Sequence, residues 1–206
     1  MAKEAMSAAR RYAQIAPASA HAQHMPSHIF VEFGMWQEDI ASNLASKKAA
    51  EEQHLAADRL HAMDFLEYAY LQLGDFEQAK AVEANALAVK KEDLGEGAER
   101  LFYYVQTHFP SLYVLETKNW KDAYSLAIPA DTASDSPVSM YQTTIYWTRA
   151  VAAGHLHDVQ AVREAVSRYD LALDALRKTS FAYVVDQLSA CVVTSFKAQE
   201  LPIAKH

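Results

Sequence analysis

Four short stretches, spaced some forty residues apart, constrain this chain more than any other feature. "LQLGDFEQA" (Leu71–Ala79) reads as a glycine, a gap residue, a large aromatic, two polar residues and an alanine. "EFGMWQEDI" (Glu32–Ile40) repeats it with Gly34 and Trp36, but with Asp39 at the alanine site. "ETKNWKDAY" (Glu116–Tyr124) has Trp120 and Ala123, with Lys118 at the glycine site. "AAGHLHDVQ" (Ala152–Gln160) has Gly154 and Leu156, with Val159 at the alanine site. Turns are therefore predicted at 34, 74, 118 and 154, at separations of 40, 44 and 36 residues. A glycine ends an amphipathic helix by accepting a left-handed conformation. The large apolar residue two positions on opens the next helix and packs back on the first. The alanine three further lets the two helices approach closely. Each such pair hides only one face of its neighbour, so the pairs must stack.

Composition agrees with an all-α chain. Only 5 glycines and 6 prolines occur in 206 residues, and half of the residues are hydrophobic. Net charge is -7 and no Lys/Arg run exceeds two residues, which argues against a nucleic-acid partner. No apolar run reaches the length of a membrane span, and "MAKEAMSAARRYAQ" lacks the apolar centre of a signal peptide, so no membrane association and a cytoplasmic location are expected. Cys191, in "LSACVVTSF", is the single cysteine and reads as a buried, inert thiol. No phosphate loop, dinucleotide fingerprint, zinc-protease helix or nucleophile elbow is present. In "IPADTASDSPVS", a loop, Ser136 reads as an N-cap and Pro137 as the first helical residue.

The two ends read as half-units. "EAMSAARRYAQIAP" has the small-residue stripe Ala5, Ala9, Ala13 of a second helix, with no first helix before it. "SFAYVVDQLSACVVTSF" reads as a first helix, and "QELPIA" (Gln199–Ala204) as the turn after it. A fragment of a longer repeat array is expected, or ends capped by a partner, including a second copy of the chain joined through the incomplete terminal hairpins.

These features resemble the tetratricopeptide repeat. The best unit is Asp58–Val89, with Leu66, Tyr70, Gly74, Phe76, Ala79 and Ala86 in the expected places and Glu67 at a site usually taken by a small residue. The resemblance implies a right-handed α–α superhelix, a TPR-like solenoid of about four helical hairpins forming a single domain over 1–206. In such solenoids the first helix of each pair lines the concave face, at positions thirteen, ten and six before the turn; steps of three and four residues share one helix face. Applied to Gly34, this selects His21, His24 and His28. Applied to Gly74, it selects His61, Asp64 and Tyr68. Lys118 gives Val105, His108 and Leu112, and Gly154 gives Tyr141, Thr144 and Thr148. Five of the nine histidines thus fall on the expected groove.

The expected site is a groove lined by His21, His24, His28, His61, Asp64, Tyr68, Tyr104 and His108, holding a peptide or protein segment or a small polar ligand. Of Tyr103 and Tyr104, one ring is expected to be buried and the other to face the groove. No cofactor is required by this reading. A divalent metal is the alternative, with His24, His28, His61 and Asp64 as ligands, because His24 and His28 have the i, i+4 spacing that chelates one ion. General acid–base work by His61 oriented by Asp64 is the enzymatic version, of hydrolase type, and self-assembly is a third reading. Pro26 bears on all of these: the helix is either kinked there, with the three histidines still on one face, or begins there, leaving His21 and His24 on a loop.

A narrower resemblance rests on "AARRYAQIAPASAHAQHMPSHIFVEFGMW", the following "IASN" and "HAMDFLEYAYLQLGDFEQA". These are similar to segments of a group of poorly characterised bacterial tetratricopeptide-repeat proteins, and the His-Met-Pro-Ser-His core is the specific part. That resemblance implies repeats, with histidines of their own, upstream of this segment; it implies no particular reaction.

Overall fold

The computed structural model describes residues 2–95 and 97–189, and among them all regular structure is helical. Cys191, the turn expected at Gln199–Ala204 and the end of the last expected helix lie outside the described residues. The chain divides into two compact units, Met1–Val105 and Gln106–His206. The first contains α1 (Ala2–Ile15), α2 (Ala20–His24), α3 (Ser27–Glu32), α4 (Trp36–Glu52), α5 (Ala56–Leu73), α6 (Phe76–Leu87) and a 3-10 turn at Lys91–Leu94. Helix α7 (Glu99–Thr117) runs across the division. The second unit continues with a 3-10 turn at Trp120–Ser125, α8 (Val138–His155), α9 (Val159–Leu176) and a 3-10 turn at Ala182–Val184.

One turn geometry recurs. Gly34, His54, Gly74, Lys118 and His157 all have left-handed backbones, with φ of 65, 57, 74, 58 and 56°. A helix starts two residues after four of them, at Trp36, Ala56, Phe76 and Val159. At Gly74 the closure is a Schellman pair: Gly74 N–H donates to Leu71 O at 3.0 Å and Asp75 N–H to Tyr70 O at 2.9 Å. The same pair recurs at Gly34 (onto Val31 and Phe30), His54 (onto Glu51 and Ala50) and His157 (onto Gly154 and Ala153). Each satisfies carbonyls that the ending helix leaves open. Asp75 and Asp158 then cap the next helix, accepting from Gln78 N at 3.2 Å and Ala161 N at 2.9 Å.

This geometry corrects the fourth predicted turn. Gly154 lies inside α8, and the turn is at His157, three residues later. The residues picked from Gly154 move with it: Tyr141 and Thr148 are buried in α8, not on an open face. The third hairpin is also shorter than expected. Trp120 opens only one 3-10 turn, because Pro129 and the Ser/Asp-rich stretch after it cannot continue a helix. Arg149 of α8 holds that turn, donating to the carbonyls of Ala123, Tyr124 and Leu126 at 3.2, 3.2 and 2.8 Å. At the start of α8 the N-cap position is Pro137 and the first helical residue Val138, one residue later than predicted; Ser136 Oγ still accepts from Val138 N–H at 3.2 Å.

Small residues set the close approaches. The position five after the turn is buried at four of the five turns, at Asp39, Ala79, Ala123 and Val162, whereas Arg59, five after His54, is half-buried. In the first unit Ile40, Leu66 and Ala69 form a core against Trp36, Tyr70 and Val82, and Ala20 packs on Ala49 and Ala50. In the second, Val114, Ala123 and Ala152 pack with Trp120 and Leu126, and Tyr169, Leu173 and Leu176 with Val184 and Val185. Trp36 and Trp120 are thus packing residues.

A Cβ at Gly74 meets nothing within 4 Å, so the cost of Gly74→Ala is conformational alone. That substitution should lower unfolding free energy by about 1 kcal/mol, and His157→Gly should raise it by up to about 1 kcal/mol. Urea midpoints of the two variants check both; an unchanged midpoint for both overturns this account of the turns.

Candidate metal centre

Pro26 kinks the first helical stretch without unravelling it. Met25 and Pro26 keep right-handed helical dihedrals, and Met25 N–H still donates to His21 O at 3.0 Å. The break lies between α2, which carries His21 and His24, and α3, which carries His28. A broken helix exposes carbonyls, and hydroxyls from α3 and α4 meet them. Ser46 Oγ donates to Ala20 O at 2.8 Å, Ser42 Oγ to Gln23 O, and Ser27 Oγ to His24 O at 2.5 Å. Helix α2 is therefore fastened to α4 over its whole length.

Within this frame His24 is buried at 2 % exposure, and its ring is fixed. Its Nδ1–H donates to Asn43 Oδ1 at 2.7 Å. The Asn43 amide is oriented in turn by its own donors, Nδ2 to Asp39 O at 3.0 Å and to Asp39 Oδ1 at 3.2 Å. The opposite amide orientation would set oxygen against oxygen, so the arrangement defines itself. With Nδ1 protonated, neutral His24 presents the Nε2 lone pair outward. His28 Nε2–H donates to it at 3.1 Å.

His61, from the first turn and a half of α5, completes the group. Its ring centroid lies 4.3 Å from that of His24 and 6.2 Å from that of His28. One ring nitrogen from each of His24, His28 and His61 lies within 4.8 Å of the others, the one such group of three among the described residues. Two donors on one ion at bonds of about 2.0–2.1 Å sit roughly 3.0–3.4 Å apart, a range that contains the His24–His28 separation. His28 and His61 are exposed and free to rotate inward, whereas His24 is not. Phe65 forms the floor: its ring meets all three imidazoles edge to face, at centroid distances of 4.6, 4.9 and 5.4 Å.

Electrostatics favour the neutral form of His24 and His28. Burial first, then the nearby His61, His28 and His21, push His24 down to about 4 against the opposing pull of Asn43. Burial, then His61 and His21, lower His28 as well. A ligating imidazole is in its neutral form, the form that burial favours in both His24 and His28.

The other expected residues lie as follows. His21 is exposed on α2, near enough to act on His24 and His28 electrostatically. Asp64 is not in the three-histidine group; its Oδ2 accepts from Tyr104 Oη at 2.7 Å. Tyr103 is buried and Tyr104 half-buried. Tyr68 packs edge-on against Trp36 at 5.6 Å. His108 is half-buried in the second unit, 6.3 Å from the Phe109 ring. His54 sits in its turn, and His155, on the surface, stacks flat on Trp120 at 4.1 Å. Sequence reasoning did not find Asn43. The signal was Asp39, a carboxylate at a position where the repeat wants alanine.

A second buried acid, Glu67 of α5, sits at 0 % exposure with no hydrogen-bond partner for either oxygen among the described residues. Burial, then Glu83 and Asp64, raise its pKa to about 10, with Lys80 opposing. Asp39, raised by burial to about 7, is the milder case, because Asn43 donates to it.

No protein-family model, curated protein or solved structure matches the chain.

Glu67 gives a pH prediction whose sign is fixed. Above pH 4.5 the unfolded chain releases this proton while the folded chain keeps it, so stability falls as pH rises toward about 10. Relative to Glu67→Gln, which cannot titrate, the native protein should lose on the order of 2–4 kcal/mol between pH 5 and pH 8. Urea unfolding of both proteins across that range reads the difference. A gap independent of pH means that Glu67 is ionised in the fold.

Proposed function

We propose that the first unit is a divalent-metal-binding module built on TPR-like helical hairpins, with His24, His28 and His61 as the ligands. The observation that carries this is the convergence of three imidazoles from three helices, one of them held by a buried amide. Imidazole donors suit zinc, copper, nickel or cobalt better than magnesium or calcium. The Asn43 carbonyl is the outer partner that fixes the tautomer of a ligating histidine. The resemblance to the bacterial tetratricopeptide-repeat group is consistent with this reading, since His24, Pro26 and His28 all lie in its most specific segment. The turn register and the recurring Schellman closures support the repeat assignment, with a right-handed superhelical stacking of hairpins as its expected form.

A binding groove is the second reading. Helix α5 carries His61, Asp64 and Tyr68 at successive positions of one face. A peptide or small polar ligand lying along α5 would meet an imidazole, a carboxylate and a phenol in turn, and a metal at His61 would anchor one end of it.

Protein dialysed against zinc and then against metal-free buffer should retain close to one equivalent of zinc per chain by elemental analysis. His61→Ala, a change at an exposed side chain, should abolish that retention with little change in unfolding midpoint. Asn43→Ala should weaken zinc about 10- to 100-fold in a competitive chelator titration. Retention unaffected by His61→Ala excludes this site as the ligand set.

A further inference from the structure

The same three histidines bear on what an ion there can bind, and this step rests on the metal reading above. All three donors are imidazoles, and no carboxylate joins the group among the described residues. The acid nearest in the hydrogen-bond chain, Asp39, reaches His24 only through Asn43, behind the site. An ion held by three neutral ligands keeps its whole double positive charge. Three protein donors also leave at least one coordination position open.

The geometry says where that position faces. His24 is buried and Phe65 lies against all three rings, so the inner side is closed. His28 and His61 are exposed, so the outer side meets solvent. The chain as a whole carries a net charge of -7 and therefore repels anions. Anion affinity at this place has to come from the metal.

We infer that an ion bound by His24, His28 and His61 takes an exchangeable oxyanion, of the carboxylate or phosphate class, at its solvent-facing position. The step is ligand exchange: the anion's oxygen forms the new bond to the ion as a water ligand leaves. Oxidation states do not change and no proton moves. A carboxylate side chain, a free metabolite acid and a phosphate ester share this chemistry, and acetate and methyl phosphate separate the two oxyanion types.

The test uses the full chain loaded with one equivalent of cobalt(II), whose visible bands report its coordination. Acetate and methyl phosphate are titrated separately, and the same titrations are followed by NMR on the metal-free protein. A saturable change in the cobalt bands is expected with at least one of the two, with an affinity at least ~10-fold above that of the metal-free protein. The more effective anion identifies the class. Cobalt retained by the three histidines with bands that neither anion moves overturns this inference and leaves the metal reading standing. Failure to hold cobalt at all overturns both. Equal anion binding with and without metal shows that the anion does not sit on the ion. His61→Ala keeps the outcome interpretable, because it removes one ligand from an exposed position while the His24–Asn43 bond remains. It should lose both the cobalt bands and the anion response.

Discussion

The left-handed turn that follows α3, α4 and α5 is the constraint on which the first unit depends. Once Gly34, His54 and Gly74 reverse the chain with two backbone hydrogen bonds apiece, the spacing from turn to turn sets the helix register. That register brings positions ten and six before Gly34 beside the position thirteen before Gly74. His24 and His28 stand at the first two, and His61 at the third. No histidine has to seek the others. The turn lengths put them in one place, and the small residues Ala49, Ala50, Ala62 and Ala69 let the helices come close enough for their side chains to meet.

Against that background the two breaches of the repeat pattern have different meanings. Asp39 and Glu67 both stand where the sequence pattern leads one to expect a small residue, and both are buried acids. Desolvation favours the protonated form in each. Asp39 has a donor in Asn43, and that donor in turn fixes His24. Its burial is thus linked to the site through two hydrogen bonds. Glu67 has neither, so its proton is the cheapest answer to burial. One breach orients a candidate ligand; the other adds a pH-dependent weakness to α5.

Much of this was legible in the sequence because it is local. Turn residues, the aromatic two positions on and the buried position five positions on follow from backbone conformation and helix packing. Gly154 misled because a glycine is tolerated inside a helix, while His157, with a side chain that disfavours the left-handed region, takes the turn. The better signal there was Asp158, an N-cap followed directly by an apolar residue. The histidine convergence followed from face arithmetic. Asp64 left the expected ligand set because its partner, Tyr104, lies forty residues away on α7, and no local pattern fixes that register. Asn43 was invisible for a related reason: a buried asparagine is chosen by its partners, which appear only when the helices are packed.

Pro26 settles how the site combines stiffness with adjustment. By removing one backbone donor it ends α2 at His24 and starts α3 at Ser27. Around the break, Ser27 takes up the carbonyl of His24, while Ser42 and Ser46 bond those of Gln23 and Ala20 and tie α2 to α4. The kink therefore yields one donor that is fixed before any ion arrives and two, His28 and His61, that close from the solvent side. For the proposed ion, the His24 lone pair that Asn43 has already aimed is the pre-organised donor of the three.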